Sequence, residues 1–212
     1  MYLPRHFAET DVAAMHALMR AHPLATLVAS GPQGLVANHL PLLLAPDPAP
    51  NGTLQGHLAR ANPLWKEVAP EAPVLVIFHG PQHYISPSSY ASKASDGRVV
   101  PTWNYVAVHA HGSLRVIDDA DWVAAQIEAL TATQEAGQAQ PWSVADAPAD
   151  FIERMRAAVV GIEIVIGRLV GKWKLSQNQP AANRSSLIAA LEASGNEDSI
   201  TMARLIRQRQ RP

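Results

Sequence analysis

The chain of 212 residues contains no cysteine. That absence removes disulfides, thiolate metal sites and cysteine nucleophiles together, and it suits a reducing compartment. Neither sign of charge dominates. Seventeen basic against 18 acidic residues leave a formal net charge of -1, which argues against nucleic-acid binding driven by global charge while leaving room for a local basic patch. No apolar run approaches the roughly 20 residues of a membrane-spanning helix, and the opening MYLPRHFAET has no apolar h-region. The usual chemical fingerprints are also missing: G-x-S-x-G, HExxH, a P-loop and a dinucleotide glycine motif. There is no internal repeat and no long low-complexity linker. The reading is a soluble cytoplasmic protein with no membrane partner.

What is present points to a globular fold. Hydrophobic residues make up 48% of the chain and charged residues 17%, enough apolar surface to close a good-sized core. The stretch 98–117, RVVPTWNYVAVHAHGSLRVI, alternates from Thr102 as a long β-strand does. One face carries Asn104, Val106, Val108, Ala110, Leu114 and Val116 and is fit for a core. The other carries Trp103, Tyr105, Ala107, His109, His111, Ser113 and Arg115. That second face is too polar for a core and too aromatic for an ordinary wet surface. It reads either as a face covered by a ligand, a partner subunit or both, or as the decorated solvent face of a one-sided antiparallel strand.

Around this strand the pattern predicts a helix over 11–21, a hairpin from 24–30 and 35–44, and a strand over 53–58. A short helix over 63–68 follows. Residues 73–78 are apolar on both faces and predict a central strand, ended by a turn at His79-Gly80-Pro81 before a short strand over 83–86. Helices are expected after Asp118 and after Pro148, the second burying Ile152, Met155 and Val159. A strand follows over 160–170, which 171–178 continues or turns out of. Two helices close the chain, 184–194 with Asn183 as a possible cap and 197–209. About seven or eight strands joined mostly by turns, with helices at the ends, predict an α+β protein: an antiparallel barrel or sandwich with outer helices. The expected organisation is a barrel domain over 1–182 and a helical extension over 183–212.

Polar residues in apolar settings mark candidate chemistry. Asn38 and His39 interrupt an apolar strand and need partners or a wet cavity. Arg60 and Asn62 stand at a strand-to-helix junction suited to an anion, although the spacing equally fits a solvated arginine. Any phosphate bound here falls to side chains such as Arg60, Lys93 and Lys174. His109 and His111 have the spacing of a two-histidine metal arm, but no carboxylate lies between them, and structural or ligand-facing histidines are the simpler reading. No general base is obvious, although His39, His57 or Tyr105 could serve. The tail, ending RLIRQRQR, has a helix-turn-helix outline that fits contact with DNA through the C-terminal helices. A terminal helix pair packed on the barrel or a partner is the simpler reading.

Several long motifs coincide: PLATLVASGPQGLVANHLPLLL, GTLQGHLARANPLW, VLVIFHGPQHYISPSSYASK, VVPTWNYVAVHAHG and GIEIVIGRLVGKWKLSQNQPAANR. Together they resemble the PaiB family of FMN-binding negative transcriptional regulators, almost end to end. The resemblance implies a split β-barrel like that of pyridoxamine 5′-phosphate oxidase. It implies a homodimer with FMN in clefts at the subunit interface. It carries to the flavin site Asn38, His39, His57, Arg60, Asn62, Lys93, Trp103, Asn104, Tyr105, Lys174, Ser176, Gln177 and Asn178, with 59–62 where related barrels hold the phosphate. Ser89 departs from the pattern, since relatives carry a bulky aromatic there, and this implies a more open pocket. The alternative function is a flavin-dependent oxidoreductase of the same barrel class, and the residues leave open whether the protein is an enzyme.

Overall fold

Alternating apolar residues and turn punctuation produce eight strands and six helices in a computed structural model, which describes residues 1–209. In chain order they are β1 (Ala8–Glu9), α1 (Val12–Ala21), β2 (Leu24–Gly31), β3 (Gly34–Pro41), β4 (Leu43–Ala45), β5 (Thr53–Ala59), α2 (Leu64–Glu67) and β6 (Ala72–Ile85). Then follow β7 (Thr102–Ile117), α3 (Ala120–Glu135), α4 (Ala149–Ala157), β8 (Val159–Lys174), α5 (Ala181–Ala193) and α6 (Glu197–Gln208). The strands pair in the order β3-β2-β6-β7-β8-β5-β4, with β1 on β8. Every pairing whose register is defined is antiparallel. The order ends at β3 and β4 without closing, as in a split barrel.

The chain divides into two compact units. The first comprises Met1–Asp11, His79–Val108 and the described residues from Val170 on; the second comprises Val12–Phe78 and His109–Leu169. The three long strands β6, β7 and β8 pass through both. The alternation predicted for β7 holds: Asn104, Val106, Val108, Ala110 and Leu114 are buried. There are two exceptions: Val116 is exposed near the strand's end, and Ala107, expected on the open face, is buried.

Three local expectations are corrected. No turn forms at His79-Gly80-Pro81, because β6 runs on from Ala72 to Ile85. Its pairing to β2 covers Leu75–Ile77, so the missing N–H of Pro81 lies beyond that ladder and removes no bond from it. The helix after Pro148 buries none of its residues, and Met155 is exposed. Val159 belongs to β8 rather than to that helix. Asn183 is not a cap but lies buried in the first turn of α5, where its Oδ1 accepts from Ser92 N (3.0 Å) and its Nδ2 donates to Ser92 Oγ (2.9 Å).

The second unit centres on Leu27, Val76, Phe78, Leu54, Ile162 and Ile164, all effectively inaccessible. Each such side chain contributes about 1.5–3 kcal/mol by leaving water. Asp119 caps α3 by accepting from Trp122 N (2.8 Å). The Trp122 ring then lies so close to β8 that a Cβ at Gly161 would meet it at 2.5 Å, so only glycine fits there. In the first unit α5 and α6 bury Leu187, Leu191, Met202, Ala203 and Ile206. Gly195, at φ +66, makes the turn between them, and Asn196 caps α6 by accepting from Asp198 N and Ser199 N. His83 ties α6 to β6: its Nδ1 donates to Tyr84 O (2.6 Å) and its Nε2 accepts from Ser199 Oγ (2.8 Å). The tail residues 210–212, which complete the basic RLIRQRQR stretch beyond the predicted helix over 197–209, lie outside the described residues.

Candidate functional site

The predicted site residues fall into two groups, one in each unit. In the second unit β3 presents Asn38 half-buried and His39 exposed. Asn62, just past β5, joins them. Its Oδ1 accepts from Leu64 N (3.0 Å), which starts α2, and its Nδ2 donates to Asn38 Oδ1 (2.7 Å). The Asn38 Nδ2 is buried without a hydrogen-bond partner. His39 Nδ1 is hydrogen-bonded to Thr26 Oγ1 at 3.0 Å. His57 on β5 turns instead toward α3 and donates from Nδ1 to Gln126 Oε1 (2.8 Å).

Arg60 is heavily committed. Its Nη1 and Nη2 donate to the two carboxylate oxygens of Asp118 (3.0 and 2.6 Å), Nη2 also to Val159 O (3.0 Å) and Nε to Ala157 O (3.1 Å). The pairing holds the Arg60 guanidinium above its ordinary pKa and the Asp118 carboxyl below its own, each mainly through the shared hydrogen bonds. One Nη1 hydrogen stays uncommitted by that count.

The first unit gathers a cationic and aromatic group. Lys174 Nζ donates to Thr102 Oγ1 (2.5 Å) and Trp103 O (2.7 Å). Burial, followed by the like charge of Lys172, pulls its pKa below the ordinary lysine value. Lys172 itself is buried. Its Nζ donates to Tyr2 O (3.0 Å) and lies 5.3 Å from the Tyr105 ring centroid. Trp103 is 53% exposed and meets Tyr84 edge to face at 6.0 Å. Asn104 and Ser176 satisfy one another: Asn104 Nδ2 donates to Ser176 Oγ (3.0 Å), which donates to Asn104 Oδ1 (3.2 Å). Gln177 folds back onto its own strand end, accepting from Leu175 N (2.7 Å) and donating to Trp173 O (2.5 Å). Lys93 donates to Ser88 Oγ (2.8 Å), and Asn178 is exposed.

Lys172 and Tyr84 were missed from the sequence. Lys172 had a legible signal, two residues before Lys174 on the same strand face; Tyr84 lay in a stretch read as a separate short strand. No cluster of three His, Cys, Asp or Glu side chains able to hold a metal occurs among the described residues. His111 is held below its ordinary pKa by burial and then by Arg168, which suits a neutral ring. No helix among the described residues is long and apolar enough to cross a membrane.

The open antiparallel sheet with outer helices is that of the split-barrel flavin proteins. Solved structures of this shape include the FAD and heme binding protein from Mycobacterium smegmatis, at TM-score 0.60 and 19% identity, covering 86% of this chain and 79% of that one. Another is the flavocytochrome Anf3 from Azotobacter vinelandii, at TM-score 0.58 and 16% identity, covering 81% and 72%. These show the fold. Residues 1–168 match the family described as "Putative FMN-binding domain", and the chain belongs to that family. An uncharacterized protein of Emericella nidulans is 33% identical, with 99% of this chain and 97% of the relative covered. The protease synthase and sporulation protein PAI 2 of Bacillus subtilis is 28% identical, with 97% and 96% covered, in keeping with the PaiB resemblance.

The cofactor of this family is FMN. FMN asks a protein for cations at its phosphate, an apolar flat surface for its ring and hydrogen-bond donors for its ring carbonyls. The residues present fit. The first unit's lysines and exposed aromatics are of the first two kinds. The second unit, taken by itself, holds a buried donor without a partner, Asn38 Nδ2.

Proposed function

We propose that this chain is a homodimeric FMN-binding protein that acts as a negative transcriptional regulator in the PaiB manner. The observation that carries the cofactor part is Lys174. A lysine depressed by burial and by a like-charged neighbour gains when an anion arrives. Its third N–H is uncommitted beside the exposed Trp103. In this reading Lys174 and Lys172 face the phosphate, and Trp103 and Tyr105 face the ring. Bound FMN supplies one- or two-electron transfer; the protein's own residues bind and orient it.

The homodimer is supported by β3. It ends the pairing order, and Leu35 and His39 are exposed along it, with Leu35 at 80%. A long edge strand of this kind needs cover. The C-terminal extension is supported as the DNA-facing element by Arg204 and Arg207, both exposed on α6. The name of the Bacillus relative, concerned with protease synthesis and sporulation, fits control of other genes.

A second reading, a flavin-dependent oxidoreductase, is favoured by one observation. α6 opens with Glu197 and Asp198, whereas the start of a recognition helix is the part that approaches base edges. FMN titration followed by absorbance, with oligomer mass by ultracentrifugation, tests the common core; saturation near one FMN per chain in a dimer is expected. A gel shift with promoter fragments at low salt and reduced nicotinamide oxidation then separate the two readings. A chain that stays monomeric and colourless at micromolar FMN sinks both.

A further inference from the structure

The connection between α3 and α4, residues 136–148, is longer than the roughly 2–8 residues that usually join packed helices. Hydrogen bonds rather than apolar packing shape it. Trp142 N donates to Glu135 Oε2 (3.0 Å), while Ser143 donates from both N and Oγ to Asp146 Oδ2 (2.7 and 3.1 Å). What they hold open is a cavity of about 690 Å³ between the two helices. That volume lies within the range of small-molecule sites, about 300–1,000 Å³. The residues assigned to FMN take no part in it.

Its lining states what it would take. Trp142 stands 44% exposed in the wall, and α4 buries none of its residues, Ile152 included. An uncovered indole over an apolar floor suits a flat apolar group. The charged lining is Glu128, Glu153 and Arg156, an excess of one carboxylate. Glu128 is spent on Arg156, whose Nη2 donates to its Oε1 at 2.7 Å. Glu153 is exposed and enters no ion pair or hydrogen bond among the described residues. Arg156 is already neutralised by Glu128, and its Nε is buried without a partner, so Glu153 is the unpaired charge of the lining. A cation meets a free carboxylate and the electron-rich face of an indole.

We propose that this cavity binds a small aromatic amine, its ammonium on Glu153 and its ring against Trp142. The site is independent of the flavin reading. The test is ligand-observed saturation-transfer NMR with calorimetry on the full-length, FMN-supplemented protein. Phenethylamine is the probe and phenylacetate its charge-reversed control. Saturable phenethylamine binding is expected, with phenylacetate weaker by about tenfold or more. Glu153→Gln and Trp142→Ala are each expected to weaken phenethylamine by about tenfold while leaving FMN affinity unchanged. Both positions are exposed, and a melting curve verifies folding. No saturable binding at millimolar phenethylamine, equal binding of phenylacetate, or an unchanged dissociation constant in either variant would overturn the proposal.

Discussion

Arg60 and Asp118, 58 positions apart, meet through two parallel hydrogen bonds of 3.0 and 2.6 Å, Nη1 to Oδ2 and Nη2 to Oδ1. With the carbonyls of Ala157 and Val159 on the same guanidinium, Arg60 joins the end of β5 to the start of α3 and the entry to β8. Its commitments are structural. Replacing Arg60 with alanine is expected to lower the melting temperature while changing the FMN dissociation constant by less than about twofold, or roughly 0.4 kcal/mol. A loss of tenfold or more in FMN affinity, with the melting curve unmoved, would return Arg60 to the phosphate.

Lys174 is the contrasting cation. Its charged form is disfavoured by burial and by Lys172, and a bound phosphate favours that form. FMN affinity is therefore expected to fall as pH rises through the lowered pKa of Lys174, below the usual lysine range. Lys174→Met is expected to cost about 1.5–3 kcal/mol of binding at neutral pH and to flatten that dependence. Fluorescence titrations of FMN across pH decide it; a variant with wild-type affinity would exclude Lys174 from the site.

The histidines set a stability prediction at acid pH. His111 is held below its ordinary pKa by burial and then Arg168, and His22 by burial. Below about pH 6.5 the unfolded chain therefore binds more protons than the folded one. Stability is complete above that value and is lost as pH falls toward the lowered folded-state pKa. Thermal melts from pH 7 to pH 5 are expected to show the decline, and His111→Asn a shallower one. Parallel slopes in the two proteins would rule out His111 as a contributor.

Asn104 and Ser176 form a buried hydrogen-bonded pair, Asn104 at 0% exposure and Ser176 at φ +61. Asn104→Ala leaves the serine hydroxyl buried without its partner and is expected to cost about 1–3 kcal/mol in urea denaturation. An unchanged midpoint would mean that the pair contributes nothing net.

The closing helices carry a core prediction. Met202, wholly buried on α6, is expected to cost about 2–5 kcal/mol on substitution by alanine. Truncation after Asn183 removes Leu187, Leu191, Met202 and Ile206 from the first unit's interior, and loss of its cooperative melt is expected. A truncated chain that melts like the whole would show 183–212 to be a separable extension.

Much of this protein was legible in residue order. Period-two alternation in 102–117 named the buried and open faces of β7, because a strand's side chains must alternate whatever surrounds it. The long motifs named the family. The absence of cysteine removed disulfides, thiolate ligands and cysteine nucleophiles from the residues present. Pairing between distant side chains was not legible. Nothing near Arg60 announces that Asp118 will occupy it, and nothing in 79–81 says that β6 continues, because in each case the partner or its absence is set by sheet registry. The same holds for α4, whose amphipathic pattern forecast burial. Only the tertiary structure leaves its apolar residues uncovered beside an open cavity. Local chemistry determines which elements form and which face can be buried; the closing of one element on another decides which charges are spent and which remain free.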